Sequence, residues 1–217
     1  MTPGKRALDL ALALVLGVLL APLALGIAAA VLLRDGRPVF YVSERMKAPG
    51  VPFRLWKFRT MAPEASDGGP SGGHKAHRLT RTGAVLRRSR LDEVPQLWNV
   101  LRGDLSFVGP RPPLRRYVEQ FPELYASVLQ SRPGITGLAS LYYHRHEERL
   151  LARCRTAAET EAIYARRCVP AKARLDLIYA RRRSLMLDLR LIAMTAARAA
   201  GRDLRSCGWP GRKGSDR

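Results

Sequence analysis

Cysteine, histidine, aromatic and acidic residues are all scarce in this 217-residue chain. The three cysteines, Cys154, Cys168 and Cys207, are odd in number and lack metal-ligand spacing. They exclude a disulfide scaffold and point to reduced thiols in a cytosol-facing protein. Two of the four histidines, His74 and His77, have a spacing that could suit a metal, but no acid or cysteine stands close to them to complete a ligand set. Aromatic residues make up 7% of the chain, and no nucleic-acid reader motif is present. The sequence therefore speaks against a nucleic-acid-binding module, although charge alone would allow one. Acids number 18 against 38 lysines and arginines, a net charge of +20. Such an excess predicts a polyanionic partner: nucleic acid, a nucleotide diphosphate or an anionic membrane face.

No charge at all occurs from Leu10 to Leu33. That run is long enough to cross a bilayer as a helix and too long for a cleaved leader. Lys5 and Arg6 precede it, and Arg34, Arg37, Arg45 and Lys47 follow. The positive-inside rule would keep both ends on the cytoplasmic side. Pro22, near the middle, removes a backbone donor and kinks a helix. These residues leave two readings open: a spanning helix, or one that breaks and leaves by the face it entered. Asp9 is an acid just inside the apolar run, able to pair with Arg6 or with a cation of the globular part.

The following segments predict an α+β chain that is mostly α-helical. Residues 38–42 and 52–61 have strand character around a Lys47-Ala48-Pro49-Gly50 turn, giving a short β-hairpin. Residues 63–73 read as a loop. Residues 78–90 predict a helix with Leu79, Val85 and Leu86 inward, and helical character continues over 91–101 despite Pro95. A further helix is expected over 117–129. The charged stretch 147–167 predicts a solvent-facing helix. Residues 171–200 predict a basic amphipathic helix suited to an anionic leaflet or to ordinary core packing. The domains expected are a membrane helix over 1–33, a catalytic body over 34–201 and a flexible tail over 202–217.

The richest stretch lies between Leu91 and Pro112, where Asp92-Glu93 is followed by Pro110-Arg111-Pro112, with Arg87, Arg88 and Arg90 just ahead. Acids in a basic field suit a phosphate ester and a divalent metal. A carboxylate can attack phosphorus and divide one hard displacement into two. Magnesium held by one or two carboxylates and the phosphates offsets the developing charge, and arginines clamp the non-bridging oxygens. Adjacent helical residues diverge by about 100°, so Asp92 and Glu93 cannot do the same job. A surface pair that merely offsets nearby arginines would look the same by spacing alone.

Four motifs occur in order: Lys57-Phe58-Arg59-Thr60-Met61, the stretch Leu91 to Leu101, Val108-Gly109-Pro110-Arg111-Pro112, and Pro133-Gly134-Ile135-Thr136-Gly137. Together they resemble the bacterial sugar transferases, the monotopic phosphoglycosyl transferases, over about residues 3 to 200. The resemblance implies transfer of a sugar 1-phosphate from a UDP-sugar to a polyprenyl (undecaprenyl) phosphate, with UMP released, at the start of surface-glycan assembly. It implies Asp92 as the nucleophile, Glu93 as its partner, and Mg²⁺ held by this dyad. It places Lys57, Arg59, Arg87 and the Pro110-Arg111-Pro112 element around the substrate. It also implies a monotopic protein on the cytoplasmic face of the inner membrane, held by a re-entrant helix-break-helix at Ala21-Pro22 and by interfacial amphipathic helices. Four departures stand out: Ala21 for the common serine before proline, Arg90 for a small polar residue, no Asp near His77-Arg78-Leu79-Thr80 where one usually precedes Arg-Ile-Thr, and Ser140 to Arg145 where Gln-Val-Asn-Gly-Arg is common.

Overall fold

The computed structural model describes residues 1–63 and 73–199. The loop expected at 63–73 falls almost wholly outside them, as do Cys207 and the tail expected at 202–217. The chain opens with α1 (Pro3–Asp35), capped by Thr2, whose hydroxyl accepts from the Lys5 amide. An antiparallel hairpin follows, β1 (Phe40–Ala48) and β2 (Val51–Phe58). A 3₁₀ turn over Gly73–Arg78 leads to α2 (Arg81–Ser89), a second 3₁₀ turn over Leu91–Glu93, and α3 (Gln96–Arg102). Next come β3 (Ser106–Val108), α4 (Arg115–Gln120), α5 (Pro122–Val128) and β4 (Gly134–Thr136). The chain continues with α6 (Leu138–Tyr142), α7 (His144–Leu151), α8 (Ala157–Ile163), a π-helical turn over Tyr164–Cys168, α9 (Val169–Arg182) and α10 (Leu185–Ala199).

This is the expected mostly helical α+β chain with its hairpin. In β2, Phe53 and Leu55 point inward and Arg54 outward, the period-2 pattern of a half-buried strand. β3 and β4 pair in parallel. They meet so closely that a Cβ on Gly109 or Gly134 would collide with the backbone of the other segment. The main core gathers Ala13, Phe53, Leu55, Val100, Leu105 and Leu138 from α1, the hairpin, α3, the loop after it and α6.

Both ends of α1 pack on this body. At one end the Arg6 guanidinium donates to the carbonyls of Val100 and Leu101 at 2.6 and 2.9 Å. Asp9 accepts from Lys5 at 2.7 Å and from the Phe107 amide at 3.3 Å. Lys5 also reaches Asp188 on α10 at 3.2 Å, and Tyr179 donates to Asp188 at 2.7 Å. Asp9 thus pairs with Lys5 rather than Arg6, and through Lys5 it is tied to the globular part. At the other end Ile27 and Val31 pack with Phe58 and Leu86. Between the ends, Leu14, Val15, Val18, Leu19 and Leu25 are exposed. Helical backbone continues through Pro22.

Several expected helices are divided. The one over 117–129 breaks at Phe121 before Pro122, whose ring suits a first helical turn. The one over 171–200 is two helices parted at Arg183, whose ψ of 131° is extended. Residues 78–90 form a helix only from Arg81. Val85 there is exposed and Leu79 lies in an isolated bridge to Met61, while Leu86 is buried. Thr80 caps the helix by accepting from the Gly83 amide, and Gly83 abuts the Thr60 backbone, so this face of α2, with Leu86, lies inward.

Candidate active site

The dyad sits at a sharp corner. α2 ends at Arg90, which adopts a left-handed conformation (φ 61°, ψ 14°), and the chain then turns through Leu91–Glu93. Leu91 and Val94 flank the two acids and pack against the cluster of Ile27, Val31 and Phe58, so the corner rests on α1. Asn99, one turn into α3, donates to the Arg54 carbonyl at 2.7 Å and accepts from the Trp56 amide at 3.2 Å. These bonds tie α3 to β2, which delivers Lys57 beside the dyad. The segment after β3 delivers Arg111 between prolines that fix its backbone.

Asp92 and Glu93 are both nearly buried, yet they stand in different surroundings. Glu93 Oε1 accepts from Lys57 Nζ at 2.9 Å and from Arg111 Nη2 at 3.1 Å, with Arg90 Nη1 at 3.8 Å. Burial alone would raise its pKa. Lys57 and Arg111 outweigh it and hold the carboxyl far below the usual carboxylate range. Arg111 is in turn held more firmly protonated by Glu93. Asp92 makes no ion pair or side-chain hydrogen bond among the described residues. Burial raises its pKa, opposed by Lys57 and helped by the Glu93 charge.

The dyad opens on a cavity of about 520 Å³. Lys57, Arg59, Arg87, Arg111 and Pro112 line it, whereas Pro110 does not. Pro110 is buried and its carbonyl accepts from the Gly134 amide. The Arg87 side chain also donates to Thr60 at 2.9 Å. Arg59 is buried, and its guanidinium donates to the carbonyls of Asp35, Gly36 and Arg37. It closes the carboxyl end of α1, a role that its place in the motif did not reveal.

Sequence reasoning passed over a further part of the lining. His144, Glu147 and Glu148 from α7, Tyr164, and Lys172 and Asp176 from α9 all face this cavity. The stretch 147–167 is therefore not simply solvent-facing: it is two helices and a π-helical turn with one side on the site. Lys172 Nζ lies 2.9 Å from Glu147 and donates to the Tyr164 hydroxyl at 3.1 Å. Burial pushes the Asp176 carboxyl up to about 7. Polar residues facing a hollow have the same helical periodicity as polar residues facing water, so no local signal marks them.

No group of three or more His, Cys, Asp or Glu suited to a metal occurs among the described residues. Glu93 already has its charge balanced by two close cations, while Asp92 does not. That donor set fits a magnesium ion bound by one carboxylate together with substrate phosphates, and does not form an all-protein cage.

An apolar helix packed at both ends on a mostly helical body, and in that body a cation-lined cavity with a buried carboxylate pair among its lining, define the class of protein. The chain belongs to the bacterial sugar transferase family, whose profile matches residues 2–202. It is 37% identical over 191 residues to the uncharacterized sugar transferase EpsL of Bacillus subtilis, covering 88% of this chain and 84% of that protein. It is 42% identical over 144 residues to the UDP-glucose:undecaprenyl-phosphate glucose-1-phosphate transferase of Caulobacter vibrioides, covering 63% of this chain and 53% of that one. Against the Aeromonas hydrophila UDP-N-acetylgalactosamine-undecaprenyl-phosphate N-acetylgalactosaminephosphotransferase it is 36% identical over 145 residues, 64% of this chain and 34% of the relative. The chain thus spans most of the first of these and about half or less of the two longer ones.

Proposed function

We propose that this chain transfers a sugar 1-phosphate from a UDP-sugar to undecaprenyl phosphate, releasing UMP, through a phosphosugar ester on Asp92. One observation carries the reading: of two adjacent buried acids lining a cation-lined cavity, Glu93 is neutralised by Lys57 and Arg111, and Asp92 makes no ion pair among the described residues. The names of the relatives supply the substrate class.

An Asp92 oxygen attacks the β-phosphorus of the donor. The bond from that phosphorus to the bridging oxygen breaks, and UMP departs with the oxygen. An oxygen of the lipid phosphate then attacks the same phosphorus, the bond to Asp92 breaks, and a lipid diphosphate sugar forms with the carboxylate regenerated. Arg87 and Arg111 stand where they can clamp the phosphoryl oxygens. Glu93 holds Lys57 and Arg111 in place. Magnesium, when bound, neutralises the diphosphate and the departing UMP, with Asp92 as the protein carboxylate best placed to hold it.

The lipid acceptor requires the cavity to stand at a membrane. A straight helix as long as α1 would extend roughly 50 Å, yet its two ends pack on α3 and on β2 with α2, which adjoin one another. The exposed apolar stretch between them supports a helix that dips into the cytoplasmic leaflet and returns. Exposed Leu185, Met186 and Leu189 of α10, beside the start of α1, support an interfacial face there. The bacterial inner membrane, approached from the cytoplasm, is then the location.

The test is UMP release from UDP-glucose and UDP-N-acetylgalactosamine in membranes containing undecaprenyl phosphate, with and without Mg²⁺. Asp92→Asn should lower turnover by several orders of magnitude and should fail to retain label from a sugar-labelled donor. Wild-type turnover in Asp92→Asn refutes the covalent step.

A further inference from the structure

The cavity has two unlike walls. On one stand the dyad and its cations, built for phosphate. The other is made by α7, the π-helical turn and α9, which contain none of the four motifs. It presents carboxylates: Glu148, paired with His144 at 3.2 Å, and Glu147, paired with Lys172 at 2.9 Å. Burial, together with Arg90, Arg111, Arg198 and Lys172, lowers the His144 pKa to about 3, so at neutral pH the ring is uncharged and offers one donor and one acceptor. Lys172 offsets the charge of Glu147, and the groups left to a ligand are the neutral imidazole and the Glu148 carboxylate. Hydroxyl groups, which both donate and accept, match a neutral imidazole and a carboxylate.

Pro38, Phe40 and Tyr41 also line the cavity; Phe40 stacks on Phe58 at 5.3 Å, and the partly exposed Tyr41 ring beside it is the face that suits a nucleobase. Tyr164 does not compete for the base. Its ring stacks on Tyr117 at 4.9 Å and its hydroxyl is held by Lys172. With phosphate at the dyad and the base at Tyr41, the remaining part of a nucleotide sugar falls against α7.

Resting on the reading of the donor as a UDP-sugar, we infer that His144, Glu147 and Glu148 form the wall that reads the hydroxyl pattern of the donor's sugar and so select which hexose is transferred. Glu147 is fixed from behind by Lys172, which leaves the His144–Glu148 pair as the part free to adjust.

The experiment uses the full chain in membranes. It compares kcat/KM for UDP-glucose, UDP-galactose and their 2-acetamido counterparts in wild type, His144→Leu and Glu148→Gln, with inhibition by UMP measured beside each. Glu148 is mostly exposed, so its variant tests the wall without burdening the fold. Loss of a hydrogen bond to one hydroxyl should change the ratio between the best donor and its epimer roughly tenfold, with UMP inhibition unaltered. Equal losses for every donor, unchanged ratios in both variants, or UMP inhibition weakened in parallel would overturn the inference. A wild type that releases UMP from no donor is a different result, and it overturns the transferase reading itself.

Discussion

Asp92 and Glu93 are chain neighbours with opposite electrostatic fates, and the difference lies in what reaches them from elsewhere. Lys57 and Arg111 both converge on Glu93 Oε1. Asp92 receives burial without a close partner, which leaves a carboxylate that is costly to ionise and reactive once ionised. If the Asp92 carboxylate is the attacking group, kcat/KM falls as pH drops through its pKa, and the midpoint lies above the ordinary aspartate value. Lys57 is the strongest charge opposing that rise. Lys57→Met should therefore move the acid limb to higher pH as well as reduce the rate. A pH–rate profile whose limb stays in place or moves down would contradict this account.

Asp176 allows a separate check. Its carboxyl is held at about 7 when folded, against roughly 3.9 in an unfolded chain. The native state then binds the extra proton between these values, so stability falls as pH rises through this window and is lowest above it. Asp176→Asn should raise the midpoint of thermal unfolding at pH 8 and change it little at pH 4, measured by circular dichroism in detergent. An equal shift at both values would remove burial as the cause.

The pairing of β3 with β4 shows where sequence reasoning stops. Each strand has three residues, too few for an alternation to register. Yet the two glycine motifs quoted for the family resemblance are the segments that this pairing presses together. Gly134→Ala should destabilise by roughly 3 kcal/mol through overpacking. Gly4→Ala, with open space around it, should be neutral within about 1 kcal/mol. Denaturant midpoints of the two variants check the contrast. An acidic pair set among arginines marked a candidate dyad without telling it from a surface pair, whereas the hairpin was legible because it depends on a local pattern, period-2 alternation in β2. The α7–α9 wall was not, since which side of Glu147 faces a cavity depends on Lys172, 25 residues away. The structural part that Arg59 plays was hidden for the same reason. Its partners are carbonyls at the end of α1, more than 20 residues upstream.

For the molecule as a unit, the decisive relation is between α1 and the site. Ile27 and Val31 near one end support Leu91 and Val94 beside the dyad, and Arg6, Lys5 and Asp9 secure the other end to α3, β3 and α10. Between them Leu14, Val15, Val18, Leu19 and Leu25 are left exposed among the described residues. In water that surface would be left exposed at roughly 25 cal/mol per Å², whereas in a leaflet it is solvated by lipid. On the proposed reading the middle enters a leaflet while both ends stay attached to one body, so it would enter and leave by the same face. Single cysteines at Thr2 and Arg37, just beyond the two ends of α1, test this directly. Cys154 and Cys168 are buried, and Cys207, being native, is replaced by serine in both reporters. A membrane-impermeant maleimide should label neither position in intact cells and both in inverted inner-membrane vesicles. Labelling of Thr2→Cys alone from the periplasmic side would make α1 a spanning helix. It would also require the contacts of Lys5, Arg6 and Asp9 with the catalytic body to be broken in the membrane.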